Sequence, residues 1–228
     1  MKIICIIPAK EKSRRLKNKN ILRIKNKSLV QITLDKSIKI KEFDKIIVSS
    51  DSKKILNLSK KYNKVLFIKR PKKYSTSKSK MGSVIKHVNS VLYKIHKLDP
   101  TIIVLLQPTS PLRKIATIKK AIKIFKENFK YDYLASIKKV NHKEYPKMQI
   151  HFSNKKLESK KYFNIKNIYT ENINYSLDGG VVFIFRNNKK NKANNYKLNG
   201  YGKFIETKFP ENIDIDKKED LDIAKKFI

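Results

Sequence analysis

Residues 3–20 read IICIIPAKEKSRRLKNKN, and the rest of the chain is best understood from this stretch. Its first part, Ile3–Ile7, is apolar throughout and predicts a buried strand. The loop beyond Pro8 carries six basic residues: Lys10, Lys12, Arg14, Arg15, Lys17 and Lys19. Many α/β proteins use a strand followed by such a loop to place positive charge and backbone N–H groups against phosphates. The stretch predicts a phosphate-binding loop, with a merely solvated basic loop as the alternative.

The chain has 228 residues and a formal net charge of +36. This length suits one α/β domain spanning residues 1–228. Such a charge is typical of nucleic-acid-binding proteins, but the lysines are spread along the whole chain. Lys, Ile and Asn share AT-rich codons, so we favour an AT-rich genome as the explanation and expect no specific nucleic-acid partner. The charge would still attract anions such as nucleotides and acidic sugars.

The single cysteine, Cys5, lies inside the first predicted strand and excludes a disulfide within the chain. A chain without disulfides fits a reducing compartment. No apolar run approaches the roughly 20 residues of a membrane span, and the apolar stretch before Pro8 is too short for a signal peptide. We therefore expect a cytoplasmic protein with no membrane partner.

Apolar runs of strand length alternate with helical patterns over the first 130 residues. The predicted strands are residues 3–7, 45–49, 65–68 and 101–106, and the predicted helices are 28–40, a segment starting at 50–52, 80–96 and 115–129. This alternation predicts an α/β fold with a mostly parallel sheet and helices on both faces.

The pattern changes after Tyr131. A strand at 133–140 precedes a polar, irregular segment, which predicts an inserted lobe around residues 135–175. Core strand character returns at 179–185 (GGVVFIF). A weaker strand at 203–208 and a helix at 217–228 complete the prediction.

Residues 212–216 read NIDID and suggest a metal site. Side chains alternate along an extended segment, so Ile213 and Ile215 can face the core while Asp214 and Asp216 share the other side. Two such carboxylates suit Mg²⁺. The alternative is that Asp216 caps the last helix and Asp214 is solvated.

Residues 105–113 read LLQPTSPLR, with a predicted central strand ending at Gln107. Ligands of open α/β sheets bind at the carboxyl ends of the strands, so Gln107, Thr109 and Ser110 are candidate substrate contacts. The alternative is an ordinary connection with Arg113 in solvent. The glycines of Asp178–Gly180 permit close backbone approach, to a ligand or within a hairpin.

These motifs, taken in order, resemble those of the acylneuraminate cytidylyltransferases, the CMP-sialic acid synthetase family. The similar stretches are IIPAKEKSRRLKNKNI (6–21), KIIVSSDS (45–52), KRPKKYS (69–75), LLQPTSPLR (105–113), DGGVVFI (178–184) and NIDID (212–216). The resemblance implies a Rossmann-like nucleotidyltransferase fold with a small dimerisation lobe, and hence a homodimer.

The resemblance also implies a reaction, the transfer of CMP from CTP to the anomeric hydroxyl of an acidic 2-keto sugar. It implies that Lys10, Lys19 and Asp216 are catalytic, and that Asp214 and Asp216 hold Mg²⁺. The implied CTP-binding residues are Ala9, Ser13, Asn20 and Arg70. The implied sugar-binding residues are Gln107, Thr109, Ser110, Asp178 and Gly179.

The chain departs from the family pattern at several positions, among them Lys17 in place of Pro and Asp178 in place of Asn, and two rival interpretations remain. The family usually has Arg at the position of Lys10 and Gly at that of Lys12. One rival is a nucleotidyltransferase for another acid sugar, such as 3-deoxy-octulosonate. Those relatives usually carry an Asp just after the fourth strand, where this chain has Gln107–Thr109. The other is a basic nucleic-acid-binding protein, which would leave the motifs unexplained.

Overall fold

The computed structural model describes residues 1–62, 64–141, 150–153, 156–159, 175–178, 180–187 and 200–228. The strands are β1 (Ile3–Pro8), β2 (Arg23–Ile24), β3 (Lys27–Ser28), β4 (Lys45–Ser50), β5 (Val65–Lys69), β6 (Ile102–Leu105), β7 (Tyr133–Lys139), β8 (Ile150–Ser153), β9 (Lys156–Ser159), β10 (Tyr175–Leu177), β11 (Phe183–Arg186) and β12 (Gly202–Glu206). The helices are α1 (Leu29–Ser37), α2 (Lys53–Leu56), α3 (Met81–His96), α4 (Ile115–Glu127) and α5 (Lys218–Lys225).

The main sheet is mostly parallel, as the alternating pattern predicts. Strands run in the order β7-β11-β6-β1-β4-β5, and β7 also pairs with β10 and β12. Neighbours from β6 to β5 are parallel, as are β7 and β12. Only β10 and β11 run against their neighbours. The carboxyl ends of β1, β4, β5 and β6 therefore meet at one edge of the sheet.

The central strand β1 is buried on both faces, which explains its continuous apolar run. Ile3, Cys5 and Ile7 pack in a cluster with residues of α1 and α4. Ile4 and Ile6 pack on the opposite face with residues of α3. Alternate side chains of one strand thus hold helices on both faces of the sheet, and the burial of Cys5 is confirmed.

Helix α1 begins where a local sequence signal predicts it. The Ser28 hydroxyl accepts the Gln31 N–H at 3.3 Å, and the Gln31 side chain accepts the Ser28 N–H at 3.0 Å. This reciprocal capping box satisfies two N–H groups that a helix start otherwise leaves unpaired. The helix predicted to start at residues 50–52 is short. It spans Lys53–Leu56 as α2, and a 3₁₀ turn follows.

The second half departs from the predicted pattern in two places. The strand predicted from residue 179 begins at Phe183, and Val181 and Val182 are buried in a loop instead. Both ends of the predicted lobe lie in the main sheet, Ala135–Lys139 in β7 and Tyr175 in β10. Most of the lobe lies outside the described residues. In the described part of the chain, no helix is long and apolar enough to cross a membrane.

Candidate active site

The carboxyl ends of β1, β5 and β6 border a cleft of about 340 Å³. The cleft brings together nine of the residues that the sequence singles out: Lys10, Ser13, Lys19, Asn20, Arg70, Gln107, Thr109, Asp214 and Asp216. Other lining residues are Pro8, Arg15, Tyr74, Thr76, Ser79, Met81, Val84 and Pro108. Segments far apart in sequence thus converge on one concave, strongly basic surface.

Asp214 and Asp216 lie on the same side of their segment, as the alternation of NIDID predicts. Ile215 between them is fully buried, and its N–H donates to the Thr109 carbonyl at 2.8 Å. This hydrogen bond and the burial of Ile215 fix the segment against the turn after β6. Both carboxylates are therefore presented to the cleft from a firmly held backbone.

Asp216 is paired with the basic loop and does not cap α5 with its side chain. Its Oδ1 accepts from Lys19 Nζ at 2.7 Å, and its Oδ2 lies 2.6 Å from Arg15 Nη1. The backbone N–H groups of Asp216 and Lys217 instead donate to the Asp220 carboxylate. The Asp216 carboxylate is consequently available to the cleft.

Asp214 carries a buried oxygen that lacks a partner among the described residues. Its Oδ1 is inaccessible and makes no hydrogen bond there. Burial raises the pKa of this carboxyl, and the Thr109 hydroxyl and the Lys19 ammonium oppose that rise. A buried carboxylate oxygen without a partner, next to a second carboxylate, fits a hard divalent cation that prefers oxygen ligands.

Side-chain hydrogen bonds set the shape of the basic loop. The Glu11 N–H donates to Asp51 Oδ1 at 2.9 Å, and the Ser52 hydroxyl donates to Glu11 Oε1 at 3.1 Å. The buried Asn20 donates its Nδ2 to the Lys10 carbonyl at 2.8 Å. These hydrogen bonds hold the loop in one shape, although Lys12 stands where the family pattern has a glycine. Asn20 acts on the loop's shape as well as lining the cleft.

Arg70 lies at the end of β5 and is anchored through its guanidinium. Its Nε donates to the Ser49 hydroxyl at 3.1 Å and its Nη2 to the Ser49 carbonyl at 2.6 Å. Burial lowers its pKa to about 10, so it stays charged at neutral pH. The ring of Tyr74, four residues further on, packs 5.5 Å from that of His87 and forms part of the same wall.

Arg113 is fully buried. The alternative drawn from the sequence, in which Arg113 lies in solvent, is therefore wrong. Arg113 donates to the carbonyls of Ser110 at 2.8 Å and Val181 at 3.0 Å, and also to that of Gln107. Pro108 and Pro111 have no N–H, so this turn offers few backbone donors for its own carbonyls. An arginine next to a turn with two prolines is therefore the sequence signal for this arrangement.

Three of the predicted site residues that the structure describes, Ala9, Ser110 and Asp178, do not line the cleft. The Asp178 carboxylate is buried because it accepts from the hydroxyls of Ser136 and Thr207, at 2.7 and 2.6 Å, and braces the loop before β11. Its predicted sugar contact is therefore not supported by its position. Ser110 and Ala9 are fully buried. Gly179 lies outside the described residues.

The chain is similar in sequence to known cytidylyltransferases. A family model described as "Cytidylyltransferase" matches residues 4–227. The chain is 34% identical over 140 residues to an N-acylneuraminate cytidylyltransferase of Escherichia coli, covering 61% of this chain and 32% of that protein. It is 34% identical over 128 residues to a CMP-N,N'-diacetyllegionaminic acid synthase of Legionella pneumophila, covering 55% and 54%. These matches span about half or less of the curated relatives' lengths.

A likeness to a solved structure covers the whole chain. The structure of a CMP:2-keto-3-deoxy-manno-octonic acid synthetase complexed with CTP has a TM-score of 0.70 and 12% sequence identity, and the match covers 100% of this chain and 98% of that one. At this identity the likeness concerns the fold alone. It confirms the predicted fold class.

Proposed function

The chain belongs to the cytidylyltransferase family, and on that premise we propose that it transfers CMP from CTP to the anomeric hydroxyl of an acidic 2-keto sugar. The observation that carries the proposal is the pairing of a basic loop with two carboxylates across one cleft. Lys19 and Asp216 make that pairing directly, at 2.7 Å. A triphosphate needs cationic side chains and a carboxylate-held metal ion, and here cationic side chains and two carboxylates line the same cleft.

In the proposed reaction the anomeric oxygen of the sugar attacks the α-phosphorus of CTP. A new bond forms from that oxygen to phosphorus, the proton of the anomeric hydroxyl passes to solvent, the bond from the α-phosphorus to the bridging oxygen breaks, and pyrophosphate leaves. Such transfers depend mostly on positioning and on neutralising charge. Lys10 and Lys19 supply positive charge for the leaving phosphates. Lys10 does so as a point charge, without the bidentate geometry of an arginine.

The nucleotide would be held by residues from β1, its loop and β5. Ser13, Asn20 and Arg70 line the cleft beside the two lysines. Arg70 is anchored to Ser49 at the carboxyl end of β4, so its charge is held in place before any ligand binds. Such preorganisation reduces the entropic cost of binding.

Asp214 and Asp216 would hold Mg²⁺, which fits the unpartnered oxygen of Asp214. When bound, the ion would neutralise phosphate charge and help to align the reacting groups. Asp216 is paired with Arg15 and Lys19, and the Arg15 side chain is 69% exposed. Arg15 can therefore move away from Asp216 at little cost.

The acceptor proposed is a sialic acid-like nonulosonate. Two curated relatives are named for acids of this kind, N-acylneuraminate and diacetyllegionaminic acid. In this chain, Gln107 and Thr109 line the cleft from the turn after β6. They are the residues that we propose face the sugar. The cleft's positive charge favours an acceptor that carries a carboxylate.

The test is pyrophosphate release from CTP and Mg²⁺ with a panel of acid sugars: N-acetylneuraminate, legionaminate, pseudaminate and 3-deoxy-octulosonate. Each reaction is repeated with ATP, GTP and UTP. We expect release with CTP and one of the nine-carbon acids. Release with 3-deoxy-octulosonate alone would reassign the acceptor. No release with any sugar would contradict the proposal.

A further inference from the structure

We infer that Arg113, which does not line the cleft, is a positioning residue for the acceptor sugar because it fixes the backbone that carries Gln107. The inference rests on the proposed function and deepens it. It assigns to a buried side chain the placement of the turn after β6, which lines the cleft with Gln107.

Arg113 links the turn after β6 to the loop before β11, which the hydrogen bond from the Gln107 N–H to the Gly180 carbonyl also joins. Its guanidinium donates to the carbonyls of Gln107 and Ser110 in the turn after β6. It also donates at 3.0 Å to the carbonyl of Val181 in the loop before β11. One rigid, planar group therefore holds the turn and the loop in register.

A charged side chain with no exposed surface is costly unless its donors are satisfied. The burial of Arg113 is complete, and three backbone carbonyls accept hydrogen bonds from it. An apolar residue would leave these carbonyls unpaired, and a lysine could not reproduce the planar arrangement of donors. The site thus demands an arginine for reasons of geometry.

The Gln107 side chain is pressed against the same loop. The Gln107 N–H donates to the Gly180 carbonyl at 3.3 Å. Gly180 has a φ of +149°, and a Cβ at that position would lie 2.8 Å from the side chain of Gln107. The place of Gln107 in the cleft therefore depends on the loop that Arg113 secures.

The basic loop and Arg70, which would hold the nucleotide, are fixed by contacts of their own. The basic loop is held by Asp51, Ser52 and Asn20, and Arg70 by Ser49. None of these contacts involves Arg113. A change at Arg113 should consequently affect the acceptor side of the cleft more than the CTP side.

The test compares Arg113→Lys with Arg186→Lys in steady-state kinetics with CTP and the accepted sugar. Arg186 is a matched control, since it also donates to two carbonyls, those of Tyr131 and Asn128. It lies at the other end of β11, where it pairs with Ile102 at the start of β6. For Arg113→Lys we expect KM for the sugar to rise about tenfold or more, with KM for CTP within about twofold. Arg186→Lys should change neither.

A second variant, Gly180→Ala, disturbs the contact between Gln107 and the loop before β11 through a change in that loop. The added Cβ would collide with Gln107, so the same selective rise in KM for the sugar is expected. This variant decides the matter if Arg113→Lys does not fold. If a folded variant leaves both KM values unchanged, or raises both equally, Arg113 is merely structural and the inference is wrong. An inactive wild-type protein would instead refute the proposed function, and this inference with it.

Discussion

Asp214 and Asp216 are separated by one residue, yet their surroundings differ sharply. Asp216 is neutralised by Lys19 and Arg15, whereas Asp214 keeps a buried oxygen without a partner in the described structure. Burial raises the pKa of Asp214, so its ionised form destabilises the folded protein while no cation is bound. This is the arrangement expected of a site that keeps a carboxylate ready for a metal ion.

Asp214→Asn should therefore stabilise the metal-free protein while it abolishes activity. A raised folded-state pKa means that stability is lost as the pH rises from the unfolded value near 3.8 through the folded pKa. Because asparagine does not ionise, Asp214→Asn removes this loss of folding stability. We expect a melting temperature at pH 7 about 2 °C or more above wild type, measured calorimetrically with EDTA.

The control is Asp222→Asn, which alters an exposed carboxylate of α5 that is paired with Lys225. It should leave both the melting temperature and the turnover close to wild type. If Asp214→Asn keeps substantial Mg²⁺-dependent turnover, the assignment of Asp214 to the metal is wrong.

Lys19→Ala should weaken the use of CTP. The ammonium lies in the cleft and contacts Asp216 at 2.7 Å, where it would neutralise phosphate charge. We expect kcat/KM for CTP to fall about a hundredfold, as for other groups that stabilise transition-state charge. Lys17→Ala, which changes an exposed lysine of the same loop, should have little effect. An unchanged dependence on CTP in Lys19→Ala would remove the loop from the nucleotide site.

At the scale of elements, the loop after β1 depends on β4 for its shape. Asp51 and Ser52, which follow β4 in sequence, bind the Glu11 backbone and side chain. A parallel sheet brings the carboxyl ends of neighbouring strands together. The residues that follow one strand can therefore fix the shape of the loop that follows the neighbouring strand. The loop therefore keeps a defined shape around a residue, Lys12, that cannot supply the conformational freedom of glycine.

Asp51→Ala should raise KM for CTP several-fold, because the Glu11 N–H would lose its acceptor at 2.9 Å. Without this acceptor the backbone at Glu11 is no longer held to the segment after β4, which favours other loop shapes. Asp51→Asn retains an oxygen that can accept, so it should restore most of the affinity. Equal defects in both variants, measured by CTP titration, would mean that the carboxylate charge matters and not the hydrogen bond.

Most of the elements that frame the cleft could be predicted from the sequence. Local sequence patterns predict these elements: the apolar run at Ile3–Ile7, the alternation in NIDID and the helical spacing of apolar residues in α3. The role of Arg113 could not be predicted, because its partner Val181 is 68 residues away. The same holds for Asp178, whose partners Ser136 and Thr207 lie in β7 and just after β12. Local patterns report exposure along one element, whereas these contacts arise only from packing between elements.

At the scale of the whole molecule, exposed apolar side chains gather near the ends of the sheet at β10 and β12. Leu177 is 52% exposed, Tyr175 45% and Phe204 44%. Both strands pair with β7, and exposed apolar groups of this kind are typical of an interaction surface. We propose that this surface, together with the lobe, forms the interface of a homodimer.

Light scattering should therefore give a mass near twice the 26.8 kDa of the chain. Phe204→Glu would place a charge in the proposed interface and should yield the monomer mass. Phe209→Glu is the control, since Phe209 is also exposed and lies beyond β12. A wild-type protein that remains at the monomer mass at micromolar concentration would contradict the proposed dimer.

The net charge of +36 is consistent with weak ionic attraction to many polyanions, but the cleft is built for a small ligand. The basic loop, the paired carboxylates and the Gln107 turn enclose about 340 Å³. This volume lies in the range of small-molecule sites. The organisation of the molecule thus supports transfer chemistry on a nucleotide and not the binding of a nucleic acid.

The most direct test of the central claim is to identify the product made from CTP and the accepted sugar by mass spectrometry. We predict a compound with the mass of CMP joined to the sugar with loss of water, formed in equal amount to the pyrophosphate released. Free CMP with pyrophosphate, or no nucleotide product at all, would contradict the account.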